Sequence, residues 1–158
     1  MRQAIGGTWL IQLMILFILL FAGYIILTMN YSKTIKVKNE VVSIIEKYEG
    51  INSRSIELIN SYLMASGYLT MGTCQSGAGI YGNSDYTTAV LEEAQAGKKY
   101  YYCIKKYKGA NITNYYQVTV FYRFNLPVLG DISSFMVKGT TLNFQATDDA
   151  RYSRVIGG

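Results

Sequence analysis

The chain has no histidine, a single proline and two cysteines among 158 residues. Without histidine, no Ser/His/Asp or Cys/His arrangement can be assembled within the chain, and the H-E-x-x-H zinc signature is excluded. Cys74 and Cys103 form no C-x-x-C pair, so zinc-ribbon spacing is missing too. The ten acidic residues adjoin only at Glu92-Glu93 and Asp148-Asp149, where carboxylates are normally solvated rather than converging on a cleft. The small-residue run Gly72–Gly79 holds no lysine and matches neither P-loop nor dinucleotide spacing. The expectation is a protein that is not an enzyme and carries no cofactor or metal.

Charge is missing altogether from Trp9 to Met29, a run of 21 residues. At 1.5 Å per residue it spans about 31 Å, close to a bilayer's hydrocarbon core. Trp9 and Tyr31 flank it at the depths aromatic rings prefer, and Gln12, Tyr24 and Thr28 are its only polar residues. A cleaved secretory signal needs a shorter core and small residues after it, whereas Met29-Asn30-Tyr31-Ser32 follows here. Two readings remain: a plain single-pass anchor, and a signal processed in front of the apolar run.

The residues Gly7-Thr8-Trp9-Leu10-Ile11-Gln12-Leu13-Met14-Ile15 carry a resemblance to the second kind. They resemble the prepilin signal of type IV pilins and pseudopilins. The resemblance implies a leader over residues 1–7, cut by a prepilin peptidase between Gly7 and Thr8. The family usually has glutamate five residues into the mature chain, and Gln12 stands there instead. An amide can hydrogen-bond but cannot form the ion pair that a buried carboxylate needs. Gln12 therefore fits a minor or initiating subunit better than a bulk filament subunit.

Apolar positions continue past the membrane segment at Ile35, Val37, Val41, Val42, Ile44, Ile45 and Tyr48, close to helical spacing. A transmembrane helix over 8–29 thus continues as an amphipathic helical extension over 30–50, stopped at Glu49-Gly50. A second helix is expected over 53–66, capped by Ser53, striped by Ile56, Ile59 and Leu63, and ended by Gly67. Residues 85–96 read as a short helix. Asn114 to Leu126 alternates strictly and reads as a strand, ended by Pro127. A turn at Leu129-Gly130-Asp131, a helical turn over 132–135, a returning strand over 136–146 and a polar tail over 147–158 follow. The fold class is α+β: a long N-terminal transmembrane helix, an amphipathic spine, and a small extracytoplasmic head over 53–146 with an antiparallel sheet.

An even cysteine count in a small, membrane-tethered domain favours one disulfide, Cys74–Cys103, over two unrelated buried thiols. A disulfide would close a loop of about 30 residues, contribute about 3–4 kcal/mol in the chain-entropy picture and place the head in an oxidising compartment. The basic residues Lys33, Lys36 and Lys38 after the span, against Arg2 before it, argue for the opposite orientation by the positive-inside rule.

The run Lys98 to Lys108 interleaves Lys98, Lys99, Lys105, Lys106 and Lys108 with Tyr101 and Tyr107. It reads as a strand with packed tyrosines and solvated lysines. The same ingredients make a surface for DNA or an anionic wall polymer.

The two-strand ending resembles the carboxy-terminal half of TadE-like proteins of tight-adherence pilus systems. The resemblance covers the layout of most of the chain, is specific at Gly7–Ile15 and is weaker at Val118–Leu142. It implies a pilin-like minor subunit of the bacterial cell envelope, held in the membrane and partnered by other pilin-like subunits and a pilus assembly platform. The alternative from another class is a membrane-anchored extracellular binding module working through the Lys/Tyr strand.

Overall fold

A computed structural model of the chain describes residues 2–110, 113–126 and 130–145, and the side chains of 7–110, 113–123 and 135–143. One helix, α1 (Arg2–Lys47), takes up the first 46 residues and is about 69 Å long at 1.5 Å per residue. No proline interrupts it. It stops where Glu49 and Gly50 turn to positive φ, 52° and 129°, and the Gly50 N–H returns to the Ile45 carbonyl at 2.9 Å. Left-handed backbone of this kind ends helices.

Helix α2 (Ser53–Ala65) folds back along the outer part of α1. Its N-cap is Asn52 rather than Ser53. The Asn52 carboxamide oxygen accepts the Ser55 N–H at 2.8 Å, and the Ser55 hydroxyl oxygen accepts the Asn52 N–H at 2.9 Å, a reciprocal capping box. Gly67, at φ 62°, ends it as expected.

The remaining elements are antiparallel strands: β1 (Gly72–Thr73), β2 (Ile80–Asn83), β3 (Glu92–Glu93), β4 (Lys99–Tyr100), β5 (Tyr102–Lys108), β6 (Thr113–Leu126), β7 (Gly130–Thr140) and β8 (Phe144–Gln145). The main sheet runs β3-β2-β5-β6-β7, with β8 also on β6, while β1 and β4 form a separate pair. The expected helix over 85–96 is not formed. Asp85 instead accepts the Thr87 N–H at 2.9 Å, a turn that competes with helix, and the segment leads into β3. The expected helical turn over 132–135 is strand, paired to β6 through Phe124↔Ile132 and Tyr122↔Phe135. The Lys98–Lys108 run is two strands, because β4 leaves the main sheet at Tyr101. Gly130 and Asp131 begin β7 rather than turning. The stop at Pro127, Leu129, Ala146 and the tail 147–158 lie outside the described residues.

The sheet is covered on both faces. Its helix side packs Val37, Val41 and Ile45 of α1 and Ile56, Ile59 and Leu63 of α2 against Tyr102, Ile104, Val118 and Val120. Alternation places the other set of β6 side chains on the far face, and there Phe121 is fully buried with Cys74, Ile80, Ala94, Tyr100 and Cys103. Cys74 and Cys103 form a disulfide, Cα to Cα 5.9 Å, that fastens the β1–β4 flap to this face. Close approach requires glycine there: a Cβ on Gly72 would sit 2.2 Å from the Phe121 ring.

Candidate functional site

The apolar half of α1 makes no cover for itself. Gly23 and Leu27 are half-exposed and every other residue from Gly7 to Lys33 is exposed, including Phe17 at 63% and Leu20 at 65%. This is the one helix among the described residues long and apolar enough to cross a membrane. An exposed apolar surface of this size in water would drive association. Burial begins abruptly at Thr34 and follows helical spacing through Val37, Val41 and Ile45, where the head docks.

Gly7 and Thr8 lie inside α1, and nothing comes within 4 Å of where a Gly7 Cβ would be. Gln12 projects from the bare stretch and is exposed. Thr28 returns its hydroxyl to the Tyr24 carbonyl, which satisfies that group without a partner helix.

The Lys/Tyr run is dispersed. Lys98 pairs with Glu92, and that bond raises its pKa. Lys99 is exposed on β4, outside the main sheet. The Tyr101 ring stacks on Tyr86 at 3.8 Å. In β5 successive residues face opposite ways: Lys105 and Tyr107 share the face of Cys103, while Lys106 and Lys108 share that of Ile104. The Lys105 ammonium lies 4.8 Å from the Tyr107 ring centre, and Tyr107 stacks on Tyr115 at 5.0 Å. Lys105 also lines a small recess with Lys138, Gln117 and Thr119. Lys138 comes from β7, too far along the chain to be grouped with Lys105 by spacing.

The strongly perturbed side chains are structural. Burial holds the Tyr102 phenol well above the usual tyrosine range, and its hydroxyl donates to the Asn60 carboxamide at 3.1 Å. Asn60 in turn donates to the Thr88 carbonyl at 2.8 Å. Burial likewise raises Tyr68 and Tyr86, while Tyr86 donates to the Tyr68 carbonyl. Asp85 is lowered by the Thr87 hydroxyl and N–H. Among the described residues no three His, Cys, Asp or Glu side chains gather where they could hold a metal.

The feature with chemical consequence is therefore the bare helix and the way it enters the head. Comparison with protein-family models, curated proteins and solved structures finds no match, so a functional reading rests on these residues.

Proposed function

We propose that the chain is a pilin-like minor subunit of the TadE-like kind. It is anchored in the membrane by Trp9–Met29, carries its head outside the cytoplasm and acts in assembly of a tight-adherence or related pilus. The observation that carries the reading is the single uninterrupted helix, bare and apolar over its first part and docked into a small α+β head over its last. A simple anchor has no need to continue as the spine of the head. The Cys74–Cys103 disulfide favours an oxidising side for the head. Gly6 and Gly7 weaken the first turns of α1, since glycine costs about 1 kcal/mol relative to alanine in a helix. A peptidase would then unwind the Gly7–Thr8 bond at small cost. In this reading the partners are a prepilin peptidase, other pilin-like helices beside Gln12, and an assembly platform.

Sequencing the amino terminus of the protein isolated from membranes tests this. Thr8 as first residue supports the reading, and Gly7→Ala then leaves the leader attached and abolishes pilus assembly. Met1 as first residue, with assembly indifferent to Gly7→Ala, defeats it. The binding-module reading needs one common face for Lys98, Lys99, Lys105 and Lys106, and their dispersal gives it no such support.

A further inference from the structure

The two edges of the main sheet are built differently. One edge is β3, two residues long and both of them glutamates. Shortness and charge blunt it against further pairing. The other edge is β7, eleven residues long and without proline. Its inner neighbour β6 is buried from Val118 to Phe121, whereas Phe135, Met136, Lys138 and Thr140 of β7 are exposed and Val137 and Gly139 half-exposed. Among the described residues no strand pairs with the outer side of β7.

Two contacts of β6 fix the direction of the main-chain groups in β7. Phe121 turns its N–H and carbonyl away from β7, to the Tyr68 hydroxyl. The Tyr116 carbonyl points the other way and accepts the Thr141 N–H at 2.9 Å. Successive residues of an antiparallel strand alternate in this respect. Phe121↔Met136, Thr119↔Lys138 and Gln117↔Thr140 are therefore the non-bonded pairs of the ladder. The N–H and carbonyl groups of Met136, Lys138 and Thr140 point out of the sheet as a result. They recur at every second residue over about 13 Å.

The side chains along this edge also divide by face. Phe135 and Val137 lie on the helix side, where Phe135 is 46% exposed and stacks on Tyr122 at 5.2 Å. Lys138 lies on the opposite face, where it lines a recess with Lys105 and no acid. A strand laid against β7 would meet apolar groups on one face and ammonium groups on the other. A second copy of the chain does not suit this edge. Phe135, opposite Tyr122, is level with Tyr31, and Gly139 is level with Lys38, so β7 runs in the direction of α1. Two copies anchored in one membrane would present their β7 strands parallel, the less stable pairing, and would set basic edge against basic edge.

We propose that β7 takes up an extended segment of another protein as an added strand, antiparallel to β7, with apolar and acidic side chains at alternate positions. The outward main-chain groups supply affinity and the two faces supply specificity. Only the exclusion of a second copy by strand direction rests on the reading of Trp9–Met29 as a membrane span.

The test uses the full chain in detergent and, as probe, a synthetic end-capped peptide in which valine alternates with glutamate. Without peptide, the amides of Met136, Lys138 and Thr140 are expected to exchange rapidly with deuterium, and those of Val137 and Gly139 slowly. Added peptide should slow the first set about tenfold or more. Lys138→Glu should weaken binding about tenfold, as a cross-strand attraction becomes a repulsion. Met136→Pro should abolish it, because proline removes an N–H that serves no ladder bond, and slow exchange at Val137 and Gly139 then shows the β6–β7 ladder intact. Slow exchange at Met136, Lys138 and Thr140 before peptide is added would show the edge already covered. Slowing with protein concentration alone would show a second copy there. Either overturns the proposal, as do failure of the peptide to bind, equal binding of a valine–lysine peptide, and binding that leaves those amides unprotected. None of these measurements needs a membrane, so a failure here leaves the pilin-like reading as it stands.

Discussion

The Tyr68 hydroxyl stands where a strand residue would face Phe121. It donates to the Phe121 carbonyl and accepts the Phe121 N–H at 2.8 Å. Strand β5 stops pairing at Tyr102↔Val120, because Tyr101 turns its N–H to the Asn83 carbonyl at 2.8 Å. That leaves the next donor and acceptor of β6 buried and without a strand partner, and one phenol supplies both.

Tyr68→Phe should therefore cost more than an ordinary hydrogen bond. It strands a buried N–H and a buried C=O together, about 2–4 kcal/mol of lost stability. Urea unfolding of the full chain in detergent measures it. A loss below 1 kcal/mol, within the range of an ordinary exposed hydrogen bond, would mean that water replaces the phenol.

Stability should also fall steeply in alkali. The buried Tyr68 and Tyr102 hold folded pKa values raised above about 10 by burial. Unfolded, each loses its proton near pH 10. Below that pH both states carry the proton and no stability is lost. Above it the unfolded state ionises first, so stability declines as pH rises towards the folded values, by about 1.4 kcal/mol per pH unit for each tyrosine. Urea midpoints between pH 8 and pH 11 report the slope, and Tyr102→Phe should remove one tyrosine's share. A midpoint flat across that range would contradict the burial.

Three glycines separate rigid from yielding contacts. A Cβ on Gly72 meets the Phe121 ring at 2.2 Å, and one on Gly82 meets the Tyr100 ring at 2.5 Å and the Cys74 sulfur at 3.1 Å. Both rings are fully buried, so Gly72→Ala and Gly82→Ala should each cost about 1–3 kcal/mol or more through overpacking. At Gly139 the three atoms nearest the Cβ all belong to the Lys38 stem, the closest being its Cδ at 2.8 Å. That flexible chain can move aside, and Gly139→Ala should change stability by about 0.5 kcal/mol or less. Equal melting temperatures for all three variants would refute the contrast.

What the sequence made legible follows from range. The two helices and β6 rest on local periodicity, and their apolar stripes at Val37–Ile45, Ile56–Leu63 and Tyr116–Val120 supply most of the buried residues of the helix-side core. The error at 132–135 comes from a partner across the hairpin, and that at 85–96 from a local Asp85–Thr87 turn reinforced by partners outside the segment. Tyr86 is held by Tyr68 and Tyr101, and Phe135 by Tyr122 across the hairpin. The second buried face of β6 was hidden for the same reason, since Phe121 looks like a surface position until the disulfide brings the β1–β4 flap over it. The bare helix was plain from composition. How the base of the head closes on it was not, because Tyr31 and Tyr122 meet only after the sheet has formed.

The start of α2 tests a finer reading. Ser53 has the right side chain for an N-cap and stands directly before the apolar stripe, yet Asn52 holds the position, with extended φ −143° and ψ 168°. Asn52 also donates from its amide to the Tyr48 carbonyl at 3.2 Å, and so satisfies one of the carbonyls left at the end of α1. One side chain closes both helices at the corner. Asn52→Ala should thus cost about 1–2 kcal/mol, at the upper end for a cap, while Ser53→Ala, at an exposed first-turn position, should cost about 0.5 kcal/mol or less. Hydrogen exchange of the Ser55 and Ile56 amides separates the outcomes residue by residue. Faster exchange in the Asn52 variant alone places the cap at Asn52, and faster exchange in the Ser53 variant alone would return it to the serine.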